Sequence, residues 1–383
     1  MWKHTEVARR LGLAAPIIQG PFGGGISSVD LVVAVCKAGG LGSFGVHHLD
    51  AEGIATVARD IRGRTDGPFA LNLWIPLVDA DDPLINEAGW TRATQLLAPH
   101  FEELGLPPPE RPARFMPRYA EQIEAVLTAR PAVFSFVFGI PANSVLTRCR
   151  ELGIVTIGAA TTVDEAIALE QAGVDMIVAT GFEAGGHRVS FLKGAEESLT
   201  GTFSLIPQVV DAVRIPIIAA GGIGDARGIA AALALGAQGV QIGTAFLACV
   251  ESNADATHRM MLFSPDARYT GLTRVFSGRL ARGICNRLMS ELQPNVDQLP
   301  QYPIQNWLTG MMKKAACTLE RADLMSLWCG QSAPLLKHRD ARTLMTSLIR
   351  ETSFIKLGQQ GAEKSAEPLA HRPLPRVTEK ERA

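Results

Sequence analysis

One phrase recurs along the chain and constrains its fold more than any other feature. An alanine-rich amphipathic stretch ends at glycine, and a short apolar run follows at once. Four copies stand out: Val32 to Gly40 before Leu41 to Phe44, Arg150 to Gly153 before Ile154 to Ile157, Ala168 to Gly173 before Val174 to Ala179, and Ala230 to Gly236 before Gly239 to Ile242. Glycine suits the left-handed residue that closes a helix, and an apolar run directly after it suits a strand buried on both faces. Helix starts are marked as well. Thr162-Val163-Asp164-Glu165 has the form of a capping box, and Asp225 stands where the helix ahead of Gly236 begins.

Strand candidates are Pro16–Gln19, Leu41–Phe44, Phe69–Ile75, Ala132–Phe138, Ile154–Ile157, Asp175–Thr180, Ile215–Ala220 and Val240–Gly243, eight in all. Alternation with helices predicts an α/β fold with a parallel sheet, and the count favours a closed (β/α)8 TIM barrel over an open doubly wound sheet. A dinucleotide-binding sheet is disfavoured, because no G-x-G-x-x-G follows the first strand. The repeat breaks at Pro76 to Arg130 and again from Glu251 to Gln301; both stretches exceed a normal connection and predict a smaller, mostly helical lobe over the barrel mouth. The expected organisation is a barrel over 1–252 with an insertion at about 76–130, a lobe with helices completing the site over 253–357, and a flexible tail over 358–383.

Charge excludes some partners. With 37 basic and 38 acidic residues the chain has no electrostatic footprint for nucleic acid or an anionic membrane. The most apolar region, Ile215 to Val250, is interrupted by Asp225 and Arg227 and is rich in glycine, so no membrane span is expected. Six scattered cysteines show neither C-x-x-C pairs nor zinc-ligand spacing, which predicts no metal site and free thiols of a reducing, cytoplasmic compartment.

Barrel enzymes carry their reactive groups just after each strand. Gly221 and Gly222 follow the seventh candidate strand, and Gly243 and Thr244 close the eighth. Glycine lets backbone N–H groups approach an anion, so this pair is the expected phosphate grip. After the sixth strand comes Gly181-Phe182-Glu183-Ala184-Gly185-Gly186-His187-Arg188. An imidazole beside two glycines can move a proton near neutral pH. Glu183 and Arg188 are read as shaping this loop, with the guanidinium adding positive potential near the mouth. Gln19, Gly20, Pro21 and Phe22 leave the first strand in bare backbone able to lie against a planar ring, and Asn72 is a polar amide within an apolar strand. His47 and His48, after the second strand, have two readings, entering the active site or facing solvent, and solvent is the favoured one.

These residues resemble the nitronate monooxygenases, formerly called 2-nitropropane dioxygenases, and especially their class I members. The resemblance spans most of the chain and rests on Pro16 to Pro21, Ala38 to Gly42, Ala70 to Leu73, Ser135 to Gly139, Gly181 to Arg188, Ala219 to Ile223, Gln241 to Phe246, Ser277 to Arg282 and Trp328 to Gln331. It implies a noncovalent FMN enzyme that oxidises alkyl nitronates with O2 to a carbonyl compound and nitrite. It further implies that His187 is the catalytic imidazole and that Asn72, Gly185, Gly186, Gly222 and Gln241 to Thr244 contact the flavin, with Phe22 and Thr180 bordering it. The family commonly has Met where Phe22 stands, Gln where Thr180 stands and Gly where Val189 stands. The implied partners are a small nitronate and O2; a homodimer is compatible with the sequence. The competing readings are an NAD(P)H-dependent FMN reductase of quinones or enoyl thioesters and a flavin-binding protein without turnover.

Overall fold

In the computed structural model the described residues are 2–77 and 84–355. The expected flexible tail at 358–383 therefore lies outside them. Eight parallel strands form the main sheet: β1 (Ile17–Gln19), β2 (Gly42–Gly45), β3 (Phe69–Trp74), β4 (Val133–Val137), β5 (Val155–Ala160), β6 (Met176–Thr180), β8 (Ile217–Ala220) and β9 (Gly239–Ile242). Each expected strand is present within a few residues. Neighbours follow chain order, and β1 pairs with β9. The ring closes where Ile18 bridges Leu41, with Gln19 N donating to Leu41 O at 2.9 Å and Leu41 N to Ile17 O at 3.0 Å. The fold is a TIM barrel.

Side-chain alternation explains the continuous apolar runs. Ile18, Ala70, Val178 and Ile218 point into an interior cluster, while their neighbours Ile17, Leu71, Ile177 and Ile217 belong to the layer between strands and outer helices. Both sets are buried, so each strand reads apolar throughout. Val7, Ala8 and Leu11 of the first helix (Glu6–Leu11) join the interior cluster, and Val7 sits 3.1 Å from where a Cβ on Gly239 would be. Because Gly239 starts β9, that helix plugs the end opposite the strand carboxyl termini.

The long connection after β3 divides between two layers. Its first helix, Glu87–Glu103, joins a second apolar cluster with the helix Ile304–Thr318, through Leu97 and Phe101 on one and Leu308 and Met312 on the other. Its second helix, Tyr119–Ala129, packs on the helix Ala51–Arg62 as an ordinary barrel helix. The late helix Ala341–Phe354 also returns to the barrel, placing Leu344, Met345 and Leu348 among its core residues. A small antiparallel sheet of β7 (Gly186–His187), β10 (Thr270–Thr273) and β11 (Ala281–Ile284) ties the loop after β6 to the lobe. Among the described residues, no helix is long and apolar enough to cross a membrane.

Candidate active site

At the carboxyl ends of the strands, one cavity gathers nearly all the residues singled out above: Gly20, Pro21, Phe22, Asn72, Thr180, Gly185, Gly186, His187, Gly221, Gly222, Gln241, Gly243 and Thr244. Gln19 is not brought to its surface. Its amide is wholly buried, accepting from Ser43 N at 2.9 Å and donating to Gly20 O, so it braces β1 against β2.

The two glycine turns meet at one side of the cavity. Gly221 and Gly222 have φ of 100° and 72°. A Cβ on Gly221 would come within 2.9 Å of Gly181 O, so glycine is required there by packing as well as by φ. Gly243 differs: its φ of −100° suits any residue, and a Cβ there would meet nothing within 4 Å. Its missing side chain leaves open cavity beside backbone, the kind of cradle a bound anion needs. The helix that follows Gly222, Ala226–Ala234, is capped by Asp225, whose carboxylate takes the N–H groups of Arg227 and Gly228. That helix end is therefore already satisfied, and an anion at the cavity would rest on the turns themselves.

Glu183 fixes the geometry between these turns and the loop after β6. Its carboxylate accepts from Thr202 N at 2.9 Å and 3.0 Å, and Thr202 Oγ1 lies 2.9 Å from Glu183 and 3.0 Å from Gly221 O. Thr162 caps its helix as expected, accepting from Glu165 N. The Glu165 carboxylate does not return to close a capping box. It is wholly buried and takes the N–H groups of Thr161, Phe191 and Leu192, anchoring the far end of the same loop.

His187 lies on β7, opposite Ala281. Its Nε2 is 2.7 Å from Ser277 Oγ, and its ring packs near Trp74 and Trp328, with centroids 4.9 Å and 5.1 Å away. Burial, with a smaller contribution from the Arg279 charge, drives its pKa down to about 3. The imidazole is therefore neutral at pH 7 in this environment, with a ring nitrogen able to accept a proton.

Arg188 shapes the loop as expected, but the expectation that its charge adds potential at the mouth is corrected. Its guanidinium is buried and donates to Gly181 O, Thr180 O and Ser198 O at 2.8 Å, 3.2 Å and 3.1 Å. Desolvation pulls its pKa down to about 10, and it lies outside the cavity wall. It holds the loop together and offers nothing to a ligand at the mouth.

His47 corrects another. Instead of facing solvent it enters the cavity wall, stacked on Trp74 at 3.9 Å with the rings 9° from parallel. Burial holds its pKa, like that of His48, below the usual histidine range. A Cβ on Gly23 would meet His47 Cε1 at 2.5 Å, so the glycine run after β1 makes room for this ring.

Further residues complete the cavity although no loop pattern marked them. Trp74 comes from the end of β3, and Trp328, Cys329, Gly330 and Ser332 come from a late segment. Gly330 N donates to Thr244 Oγ1 at 2.9 Å, and a Cβ on Gly185 would stand 2.5 Å from Gly330 N. The Trp328-Cys329-Gly330-Gln331 element was visible in the sequence, but its contact with Gly185 across the whole barrel was not. Asn72 donates to Ser135 Oγ at 3.0 Å. Val189 and Thr180 also line the space.

The comparisons with known proteins agree with this arrangement. The family model described as nitronate monooxygenase matches residues 7–351. A probable nitronate monooxygenase of Staphylococcus aureus (strain MRSA252) is 38% identical over 358 residues, covering 93% of this chain and 99% of that protein. Among solved structures, a nitroalkane oxidase from Streptomyces ansochromogenes superposes with a TM-score of 0.81 at 36% identity, covering 91% of this chain and 97% of the other. FabK from Thermotoga maritima gives 0.70 at 26% identity, covering 91% and 96%.

Proposed function

The chain belongs to the nitronate monooxygenase family, and from that premise we propose that it is an oxidoreductase that uses noncovalently bound FMN and O2 to convert alkyl nitronates to a carbonyl compound and nitrite. The observation that carries this reading is the single cavity in which the glycine turns after β8 and β9 face His187. The residues fit the cofactor: Gly221, Gly222, Gly243 and Thr244 would hold its phosphate, and the backbone of Gly20 to Phe22 with Asn72, Thr180, Gly185, Gly186 and Gln241 would border the ring. When bound, FMN supplies the electron transfer between substrate and O2.

The protein's own part is binding, orientation and one proton. Trp74 and Trp328 flank His187 and cover part of its ring, which still borders the cavity. Because the imidazole is neutral, it can accept the α-proton of a neutral nitroalkane, or a hydrogen-bonded proton from a protonated nitronate. An anionic nitronate beside it favours the imidazolium and raises its pKa, so proton uptake accompanies substrate binding. Ser277, wholly buried, fixes the ring's orientation from the other side.

The test is direct. The purified protein should be yellow, release FMN and not FAD on denaturation, and form nitrite from an alkyl nitronate in air. Anaerobic mixing with the nitronate should alter the flavin spectrum, whereas NADH and NADPH should reduce it slowly or not at all. Rapid reduction by either nucleotide with no response to nitronate would place the protein among the reductases.

A further inference from the structure

A second cavity, of about 250 Å3, lies behind the wall that Trp74 and His47 present to the first. Both of those side chains line both spaces, but His187 lines only the first and Arg279 only the second. The Arg279 guanidinium packs against three rings, 4.1 Å from the Phe138 centroid, 4.5 Å from that of Tyr302 and 5.9 Å from that of Trp74. Stacking of this kind satisfies the faces of the guanidinium and leaves the N–H groups at its edge without acceptors. Among the described residues, no carboxylate lies within salt-bridge distance of it and no side-chain hydrogen bond satisfies it; Nη1 is buried without a partner. Burial also pulls its pKa below the usual arginine range.

Other lining groups point the same way. Tyr119 Oη and His47 Nδ1 are buried with no partner. Apolar walls from Ile75 and Met116 complete the space. A poorly solvated charge without an ionic partner is costly in general, and a planar anion that meets the guanidinium edge offsets that cost with two parallel hydrogen bonds.

We propose that this second cavity is a binding site for a small carboxylate-type anion, held by Arg279, separate from the substrate cavity and able to be filled while substrate is bound. The site is coupled to the catalytic group through the chain itself. Ser277 Oγ, which contacts His187, lies 3.2 Å from Arg279 O and 3.4 Å from Arg279 N. An anion at the guanidinium therefore acts on turnover without occupying the substrate's place.

The probe is acetate, titrated into the purified protein at constant ionic strength and followed by calorimetry and tryptophan fluorescence. The wild-type protein should bind acetate saturably at one site, and Arg279→Met should weaken that binding at least tenfold with an unchanged circular dichroism spectrum. Should Arg279→Met fail to fold, Arg279→Lys keeps the charge, loses the planar fork and should still weaken acetate severalfold. In turnover of an alkyl nitronate, acetate should change kcat and leave KM nearly constant. No saturable binding, equal binding by the Arg279 variants, or purely competitive kinetics against the nitronate would each overturn the proposal. The binding measurements need no turnover, so they stand apart from the proposed reaction.

Discussion

His187 Nε2 and the Ser277 hydroxyl sit 2.7 Å apart although they lie on different segments, one on β7 and the other just ahead of β11. The hydroxyl has one proton and two acceptors in reach, His187 Nε2 and Arg279 O, the latter at 3.2 Å. If that proton goes to Arg279 O, His187 donates through Nε2 and its Nδ1 is left as the base; the other arrangement exchanges the two nitrogens. Ser277→Ala removes this selection. We expect kcat/KM to fall about 10-fold to 100-fold with FMN retained, and stability to fall about 1 kcal/mol because a buried ring nitrogen loses its partner. Activity within twofold of the parent would show that Ser277 does not set the imidazole.

His187→Asn removes the proposed base and part of the packing between Trp74 and Trp328. Turnover should fall at least 100-fold while FMN stays bound. The glycine neighbours alone suggest a side chain with little packing to lose, but the ring contacts imply a cost of about 1 kcal/mol in urea unfolding. Turnover within a fewfold of the parent would remove His187 from the mechanism.

Gly243→Asp separates ligand binding from folding better than a change at Gly222. Gly222 has φ of 72°, so any side chain there strains the backbone as well as approaching a ligand. Gly243 has no such constraint and open space where its Cβ would stand. A carboxylate there should leave thermal stability near the parent's and weaken FMN at least 100-fold through repulsion of the phosphate. Full FMN occupancy in the folded variant would locate the phosphate elsewhere.

The barrel was legible because its signal is local. Glycine at a helix end followed by a buried apolar run is a property of adjacent residues, and every expected strand reappears within a few positions. The glycine turns were legible for the same reason. What sequence reasoning missed depends on contacts between distant segments. Trp74 is one more apolar residue in a strand until His47 stacks on it, and the loop-shaping role read for Arg188 loses its added part as a mouth cation only when its three carbonyl partners are seen. Arg279 looked like part of a motif, and only its three ring neighbours and the lack of a carboxylate partner among the described residues set it apart.

Arg188→Met tests the structural assignment of that guanidinium. The change removes one donor from each of the carbonyls of Thr180, Gly181 and Ser198, of which Gly181 O keeps the Ala184 N–H at 3.2 Å. Leaving buried acceptors unmatched should cost about 2–4 kcal/mol in urea unfolding. Arg188→Lys should recover little, because one ammonium cannot span the three carbonyls as the planar fork does. A loss of activity with stability intact would instead make Arg188 part of the chemistry.

The depressed pKa of His187 also predicts how stability follows pH. Burial, with the Arg279 charge second, lowers the group from its ordinary 6.5 to about 3 in the folded state. Between those values the unfolded chain takes up a proton that the folded protein refuses, so stability falls as pH drops through 6.5 toward 3. His47 and His258 are depressed by burial too and act in the same direction, so the total pH dependence does not isolate His187. Comparison with His187→Asn does. Between pH 8 and pH 5 the parent should lose on the order of 1–2 kcal/mol more than the variant in urea unfolding. In proton NMR the His187 ring signal, assigned by its absence from the variant, should not titrate over that range in the ligand-free protein. A midpoint near pH 6.5 together with equal stability loss in both proteins would mean that the imidazole is solvated and charged below neutrality, and the proton-acceptor role argued from its burial would fall.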